Sequence, residues 1–537
     1  MSYRIRRVAA LAVAVGLCTA AQCSPAGQSD VLVILQEAER AAGGITDASN
    51  RACQLADIAE ARSHAGDLAG GLKLAKSLRK GNARDSALVT IVELQARQRN
   101  VAGALRTATL ISPAWKSFAL TPIAAAQAEA GDATGARKTA RRIGNPVDQS
   151  TALHWVAEAQ ARRGDMKGAL ETTSEITDDT YGAGDIAALV MAQVEGGHIQ
   201  GALESLELVT RPERQTGVLV RIAELKAKAG DAAGAAESYR RVGETADVME
   251  DAGAKWQTYL SLAESLARGG KAAEASEAFQ RALRSARGLG YDLSGRVNAM
   301  NSVALAQAKA NDPTAADSFR AAATAAAGAD THQFQALLLI RVALAQAAAG
   351  DTASAATTRT QAMQFIGEFT GPYRTDNLAS MAYGQAGTGD FQGARGTAAL
   401  IEDPLRRAMA LEPIVAAQAT AGEAAAAREA AAAISSAYYR ASALRKVAVA
   451  QARVGDFAGA LMTAKEVGAA DQRATALEAT AKLQALAGEE AAALTWARAL
   501  SSPLERSSAL VAVADGLLQR AHPEVAKYRR TPVEEGY

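Results

Sequence analysis

The side chains able to do acid–base or nucleophilic chemistry are scattered through this sequence. The histidines His64, His154, His198, His332 and His522 stand far apart. None belongs to a His-Glu-x-x-His pair, which would place two zinc ligands on one helix face. Of the three cysteines, Cys18, Cys23 and Cys53, the one placed in a helix of the mature chain, Cys53, has no nearby cysteine for a zinc site. The GxxxxGKS/T phosphate loop and the GxSxG nucleophile turn are both absent. Carboxylates are plentiful, but a long helical chain pairs carboxylates by chance, and no acid–base couple is singled out. The expectation is a protein that is not an enzyme, with no catalytic residue, no metal ligand and no cofactor.

Two polar columns recur instead. Glutamine returns at Gln95, Gln127, Gln160, Gln193, Gln307, Gln346, Gln385, Gln418, Gln451 and Gln484. Each falls late in a helix, so its amide can bond a neighbouring helix end or line a groove and read a ligand backbone. A basic column runs through Arg51, Arg84, Lys116, Arg407, Arg440, Arg473 and Arg506. It can form a solvated rim or a stripe that steers an acidic partner, with Arg407, Arg440 and Arg473 the candidate contacts. Phe365, Phe369 and Tyr373 place three aromatics beside turn residues in FIGEFTGPY, and this stretch reads as a solvent-facing loop able to hold a partner.

The elements that position these residues repeat. LTPIAAAQAEAGDATGARKTARRI from Leu120 is echoed by LHWVAEAQARRGDMKGALETTSEI from Leu153 and LRKVAVAQARVGDFAGALMTAKEV from Leu444. Each is an apolar-periodic stretch, a Gly-Asp turn and a second apolar-periodic stretch, which spells a helical hairpin. The first turn residues are Gly66, Arg99, Gly131, Gly164, Gly197, Gly230, Gly270, Asn311, Gly350, Gly389, Gly422, Gly455, Gly488 and Ala521. Their spacing is 32 or 33 residues in the flanks and 39 to 41 between Gly230 and Gly389. A period of this size marks a solenoid or array. Five residues after each marker up to Gly488 stands alanine, or glycine at Gly71, which implies a close crossing of the two helices. The 33-residue period suits two helices of about 12 to 15 residues with short turns. In the middle, Ala321–Ala327 (AAATAAA) favours longer second helices over longer loops. Most of the chain's Phe and Tyr, from Tyr239 to Phe391, lie there, suited either to deeper packing or to a binding wall.

The 537 residues divide by this reading into a signal peptide (1–21), an N-terminal cap (22–46), arrays at 47–230, 231–389 and 390–522, and a tail (523–537). Arg4, Arg6 and Arg7, the apolar run Val8–Leu17 and the small residues Thr19-Ala20-Ala21 are ordered as in a secretory signal. That order implies export to a bacterial periplasm, or an uncleaved segment anchoring the chain to the membrane. No later run is apolar enough to span a membrane, so no insertion is expected after signal removal. Val31–Ala42 reads as an amphipathic helix covering the open edge of the first hairpin, ended by Gly43-Gly44. Cys53 reads as a small buried filler, with a bond to Cys23 open to an exported chain. With 58 basic and 57 acidic side chains, the composition argues against a nucleic-acid partner.

On Leu153, Val156-Ala157, Gln160, Gly164 and Ala169 the hairpin resembles the tetratricopeptide repeat family, over Ala48 to Arg520. The family's bulky second-helix aromatic is Thr173 in this hairpin and is kept as Tyr239 and Phe279 elsewhere. The resemblance implies an all-α, right-handed superhelical solenoid of 13 to 14 helix-turn-helix hairpins. It also implies a concave groove that holds another protein or an extended peptide. The functional expectation is a non-enzymatic binding scaffold of the bacterial cell envelope. The alternatives are an envelope enzyme on an all-helical superhelix or a structural envelope-maintenance protein.

Overall fold

The computed structural model describes residues 25–176, 186–290 and 293–522. The signal segment, Cys23, the Asp178-Asp179 turn, Tyr291 and the tail after His522 lie outside the described residues. Among the described residues every regular element is helical, and the helices stack as helix-turn-helix repeats. The all-α repeat expectation is met. No helix among the described residues is long and apolar enough to cross a membrane.

The turn explains the marker spacing. All thirteen markers from Gly66 to Gly488 have positive φ, including Arg99 at 58° and Asn311 at 55°. The Gly164 repeat is representative. Its first helix, Pro146–Arg162, ends in a left-handed residue, Gly164, at φ 86°. The Asp165 N–H donates to the Gln160 carbonyl at 2.9 Å and the Gly164 N–H to the Ala161 carbonyl at 2.9 Å. This double bond pattern satisfies carbonyls the helix end would leave bare. Asp165 also caps the second helix, Met166–Thr173, accepting the Gly168 N–H at 2.9 Å. Two residues thus stop one helix and start the next.

The two helices are unequal, contrary to the even division expected from the period. First helices such as Pro146–Arg162 have 17 residues, and short-period second helices have 7 to 10. In the middle the second helices lengthen to 16, 16, 13 and 15 residues. The longer period therefore sits in helix, as AAATAAA suggests. The alanines five residues after the marker are buried at the helix crossing, Ala104, Ala136 and Ala169 among them. Gly71 departs because Ser63 occupies that space: a Cβ there would lie 2.0 Å from Ser63 Oγ.

The N-terminal helix Pro25–Ala42 packs against the last helix, Pro503–Ala521, and also touches the first hairpin. It is the second half of the last repeat. Most short-period second helices carry alanine five and nine residues after the marker and an aliphatic twelve after it, as in Ala136, Ala140 and Ile143. Ala38, Ala42 and Ile45 match this pattern one 33-residue period before Gly71, Ala75 and Leu78, and all three are buried. The expected cap on the first hairpin is thus mainly the missing half of the last one.

The chain separates into two compact bodies, residues 1–198 with 444–537, and residues 199–443. The first contains the split repeat and is packed largely through alanine, valine, leucine and isoleucine. The second contains the long second helices. Its Tyr259, Phe279 and Phe319 are 2 %, 1 % and 2 % exposed, so these aromatics are core. Cys53 is exposed, which corrects its reading as a buried filler.

Candidate functional site

The glutamine column is built into the turns. Gln160 sits where its own carbonyl takes the Asp165 N–H, so its side chain reaches the same aspartate: Nε2 donates to Asp165 Oδ2 at 3.3 Å. Its Oε1 accepts the Thr172 hydroxyl from the second helix at 2.6 Å. Gln127 with Asp132 and Thr139, Gln385 with Asp390 and Thr397, and Gln451 with Asp456 and Thr463 repeat the arrangement. These amides are buried and engaged within their own hairpins, where hydrogen bonding offsets the cost of burying them.

Five members of the basic column, Arg51, Arg407, Arg440, Arg473 and Arg506, close the other end of their repeats. Arg407, Arg440 and Arg473 each donate Nη1 to a carbonyl six residues earlier, on Ile401, Ile434 and Val467, at 3.0, 2.9 and 3.1 Å. Each satisfies the chain as it leaves the preceding second helix. Gln149, Gln215 and Gln335 stand at the same repeat position and make the same bond to Ile143, Val209 and Ala329. A long donor serves this position in these repeats, and a neutral one suffices. Arg473 also holds Glu505 at 2.8 Å. The three arginines are half-buried caps in this geometry.

That stretch is mostly helix, which corrects its reading as a loop. Phe365 lies in the last turn of Thr352–Ile366, half-buried, with its ring 4.8 Å from the His332 ring. His332 Nδ1 lies 2.6 Å from Glu368 Oε2. Phe369 is half-buried in the connection that follows. Tyr373 is in the first turn of Gly371–Gly387, well exposed.

Tyr373 belongs to a larger feature in the second body. A 440 Å³ groove opens between the first helices His332–Ala348 and Gly371–Gly387. Phe334, Leu337 and Tyr373 give it apolar walls, and Asp376, Asn377 and Ser380 give it acceptors and a hydroxyl. Asn377 is 5 % exposed; its Nδ2 donates to the Tyr373 carbonyl at 2.9 Å while its Oδ1 has no hydrogen-bond partner among the described residues. Asp376 Oδ1 is held by Arg406 at 3.1 Å.

The next first helices continue the apolar surface. Tyr373, Leu405, Met409 and Tyr438 are 60 %, 56 %, 46 % and 68 % exposed. Leu405 and Tyr438 each stand 17 residues before their own marker glycines, Gly422 and Gly455, and so share a repeat position. Tyr383, four residues before the end of its helix, donates its hydroxyl to the Met409 carbonyl at 3.5 Å. Partial burial of the phenol, with Glu412 and Tyr439 nearby, raises the Tyr383 pKa above that of a free tyrosine. Periodicity alone left this face hidden, because exposure of a large side chain is not written in its spacing. The arrangement can take apolar side chains in a row and offers acceptors to a peptide backbone. Among the described residues no group of three His, Cys, Asp or Glu is placed to hold a metal.

Comparison with known proteins identifies no family. No family model matches the chain, and no curated protein does. Among solved structures, the crystal structure of Ton1535 from Thermococcus onnurineus NA1 is 18% identical with a TM-score of 0.29, covering 61% of this chain and 98% of that one. A circular tandem repeat protein with novel repeat topology and enhanced subunit contact surfaces is 14% identical with a TM-score of 0.12, covering 93% of this chain and 99% of that one.

Proposed function

We propose that this chain is a non-enzymatic scaffold that binds another protein or an extended peptide across the first helices from His332–Ala348 to the start of Ala437–Arg453. The observation that carries this reading is the row Tyr373, Leu405, Met409 and Tyr438, large apolar side chains left in solvent on successive helices. A contiguous apolar face rimmed by polar groups is the usual mark of an interaction surface. Aromatics that become desolvated on binding make the strongest anchors. The groove beside Tyr373 supplies a slot for one apolar side chain, and the hairpin's resemblance to tetratricopeptide repeats supports a peptide or protein as occupant.

The place of action is the bacterial envelope, through the basic, apolar and small residues that open the sequence. Cleavage near Gln22 would leave the N-terminal helix whole. N-terminal sequencing of protein from cell fractions tests this, and a cytoplasmic product beginning at Met1 overturns it.

Crosslinking and pull-down from the envelope, followed by affinity measurements on Y373A, L405A and Y438A, test the surface. The expected result is an affinity loss of about tenfold or more for the triple variant with its melting temperature unchanged. F365A and F369A are the contrast, because both rings are half-buried and their loss lowers melting. A folded triple variant that binds the captured partner as well as the wild type refutes the surface.

A further inference from the structure

The last repeat is split between the two ends of the sequence. Its first helix is Pro503–Ala521 and its second is Pro25–Ala42. The joint is specific. Arg498 grips Glu37 with two bonds, Nε to Oε2 at 2.8 Å and Nη2 to Oε1 at 3.0 Å, across 461 residues of sequence. The Ser507 hydroxyl donates to the Ala38 carbonyl at 3.0 Å. Glu39 pairs with Arg62 at 2.9 Å. Val31, Ile34, Leu35, Ala38 and Ala42 are buried in the seat.

None of these bonds requires the helix and its seat to belong to the same molecule. The receiving residues Arg62, Arg498 and Ser507 all lie outside the helix, and only Gly43 to Asp47 tether the helix to the rest of its own chain. An empty seat would expose apolar surface that every other repeat covers with its own second helix. We propose that the seat beside Pro503–Ala521 is a binding site for the N-terminal helix of a second copy, and that copies associate by exchanging this helix. A terminal element that completes a repeat in cis completes the same repeat in trans, and such an exchange creates no new kind of contact. The acidic pair Glu37 and Glu39, facing Arg498 and Arg62, sets the direction and register of the incoming helix.

Two experiments on the full-length chain decide this. In the first, deletion of residues 43–45 removes about 10 Å of reach, so the helix cannot return to its own seat. Light scattering is expected to give twice the chain mass, and L35D with A38D added to the deletion is expected to restore the single mass. A deleted chain of single mass with unchanged helicity overturns the proposal, as does a dimer that survives L35D and A38D. The second experiment holds even if the deleted chain fails to fold. Full-length chain carrying L35D and A38D, its own helix displaced, is titrated with a labelled peptide of residues 25–42. Saturable binding is expected, weakened about fivefold by R498E and recovered by an E37R peptide. No binding to the folded chain, or binding indifferent to R498E, overturns the proposal.

Discussion

Replacing Gly168 with alanine tests whether the turn, and not helix propensity, governs the sequence of the second helix. In an open helix this change is favourable, because glycine loses the most backbone freedom on folding, about 0.5–1 kcal/mol relative to alanine. Here the added Cβ would stand 2.2 Å from Asp165 Oδ2 and 2.5 Å from Gln160 Nε2. Asp165 must swing away, which removes the cap on the Gly168 N–H, about 1 kcal/mol, and the Gln160 bond to a carboxylate, about 1.5 kcal/mol. Since Gly168 lies in the first turn, the propensity gain is at the low end. The net is a destabilisation of about 1–2 kcal/mol, roughly a five- to thirtyfold rise in local opening. Gly243, in the middle of Ala232–Asp247 with nothing within 4 Å of its added Cβ, is the control, and G243A should stabilise by about 0.5–1 kcal/mol. The chain also contains the alternative solution. In the Gly422 and Gly488 repeats, Glu423 and Glu489 replace the capping aspartate, and Ala426 and Ala492 replace the glycine. Gln418 and Gln484 still bond those glutamates, at 2.9 and 3.1 Å, though neither glutamate caps its helix. D165E should therefore recover part of the loss in G168A. Hydrogen exchange on amides 160–172 is the assay, because a long array does not unfold in one step. G168A as protected as wild type, or more so, would show that the turn does not set the residue.

Two further outcomes follow from the same geometry. R440A should destabilise its repeat by about 1 kcal/mol through the bared Ile434 carbonyl, whereas R440Q should be close to neutral, read by exchange at residues 431–444. For Glu224, burial works to raise the pKa, but the hydrogen bonds from Arg268 and Ser265 outweigh it and hold the carboxyl below its ordinary 4.5. A carboxyl whose folded pKa is depressed stabilises the fold above its unfolded pKa and loses that contribution as pH falls through the folded value. Acid titration from neutral pH to below 4.5 should thus show a steeper stability loss in wild type than in E224Q, with the two converging at the acid end. A constant gap between them at every pH would refute the assignment.

The spacing of Gly66 to Gly488 carried the repeat architecture because one backbone requirement, a left-handed residue, recurs in every turn. Arg99 and Asn311 obey it without glycine, so the period is visible even where the residue changes. The side-chain columns were only half legible. A glutamine four residues before the marker fits a structural bond or a groove contact equally well. The partner that decides, Thr172 for Gln160, sits twelve residues away on another helix. The arginine column carried its own answer in Gln149, Gln215 and Gln335, whose neutrality at the same position argues for capping. The split repeat was also present in the letters, as Ala38, Ala42 and Ile45 one period early. Local spacing assigned that segment a helix but could not say which end of the chain would receive it, because that depends on where the stacked repeats bring residue 498.

The large side chains of the second body divide by burial, and this gives the exposed row its weight. Tyr259, Phe279 and Phe319 fill the core beneath the long second helices, where loss of an aromatic costs about 3–5 kcal/mol. Tyr373, Leu405, Met409 and Tyr438 keep 46–68 % of their surface in water and so gain less from burial than the core aromatics do. The neighbouring alanine columns show how little side-chain volume these repeats need in order to pack: Ala394 and Ala427 close their helix crossings with one methyl each. Polar residues would serve stability equally well at the four exposed positions and would carry less risk of nonspecific association. Stability therefore does not account for these residues, and they are the positions at which the proposed binding surface stands or falls.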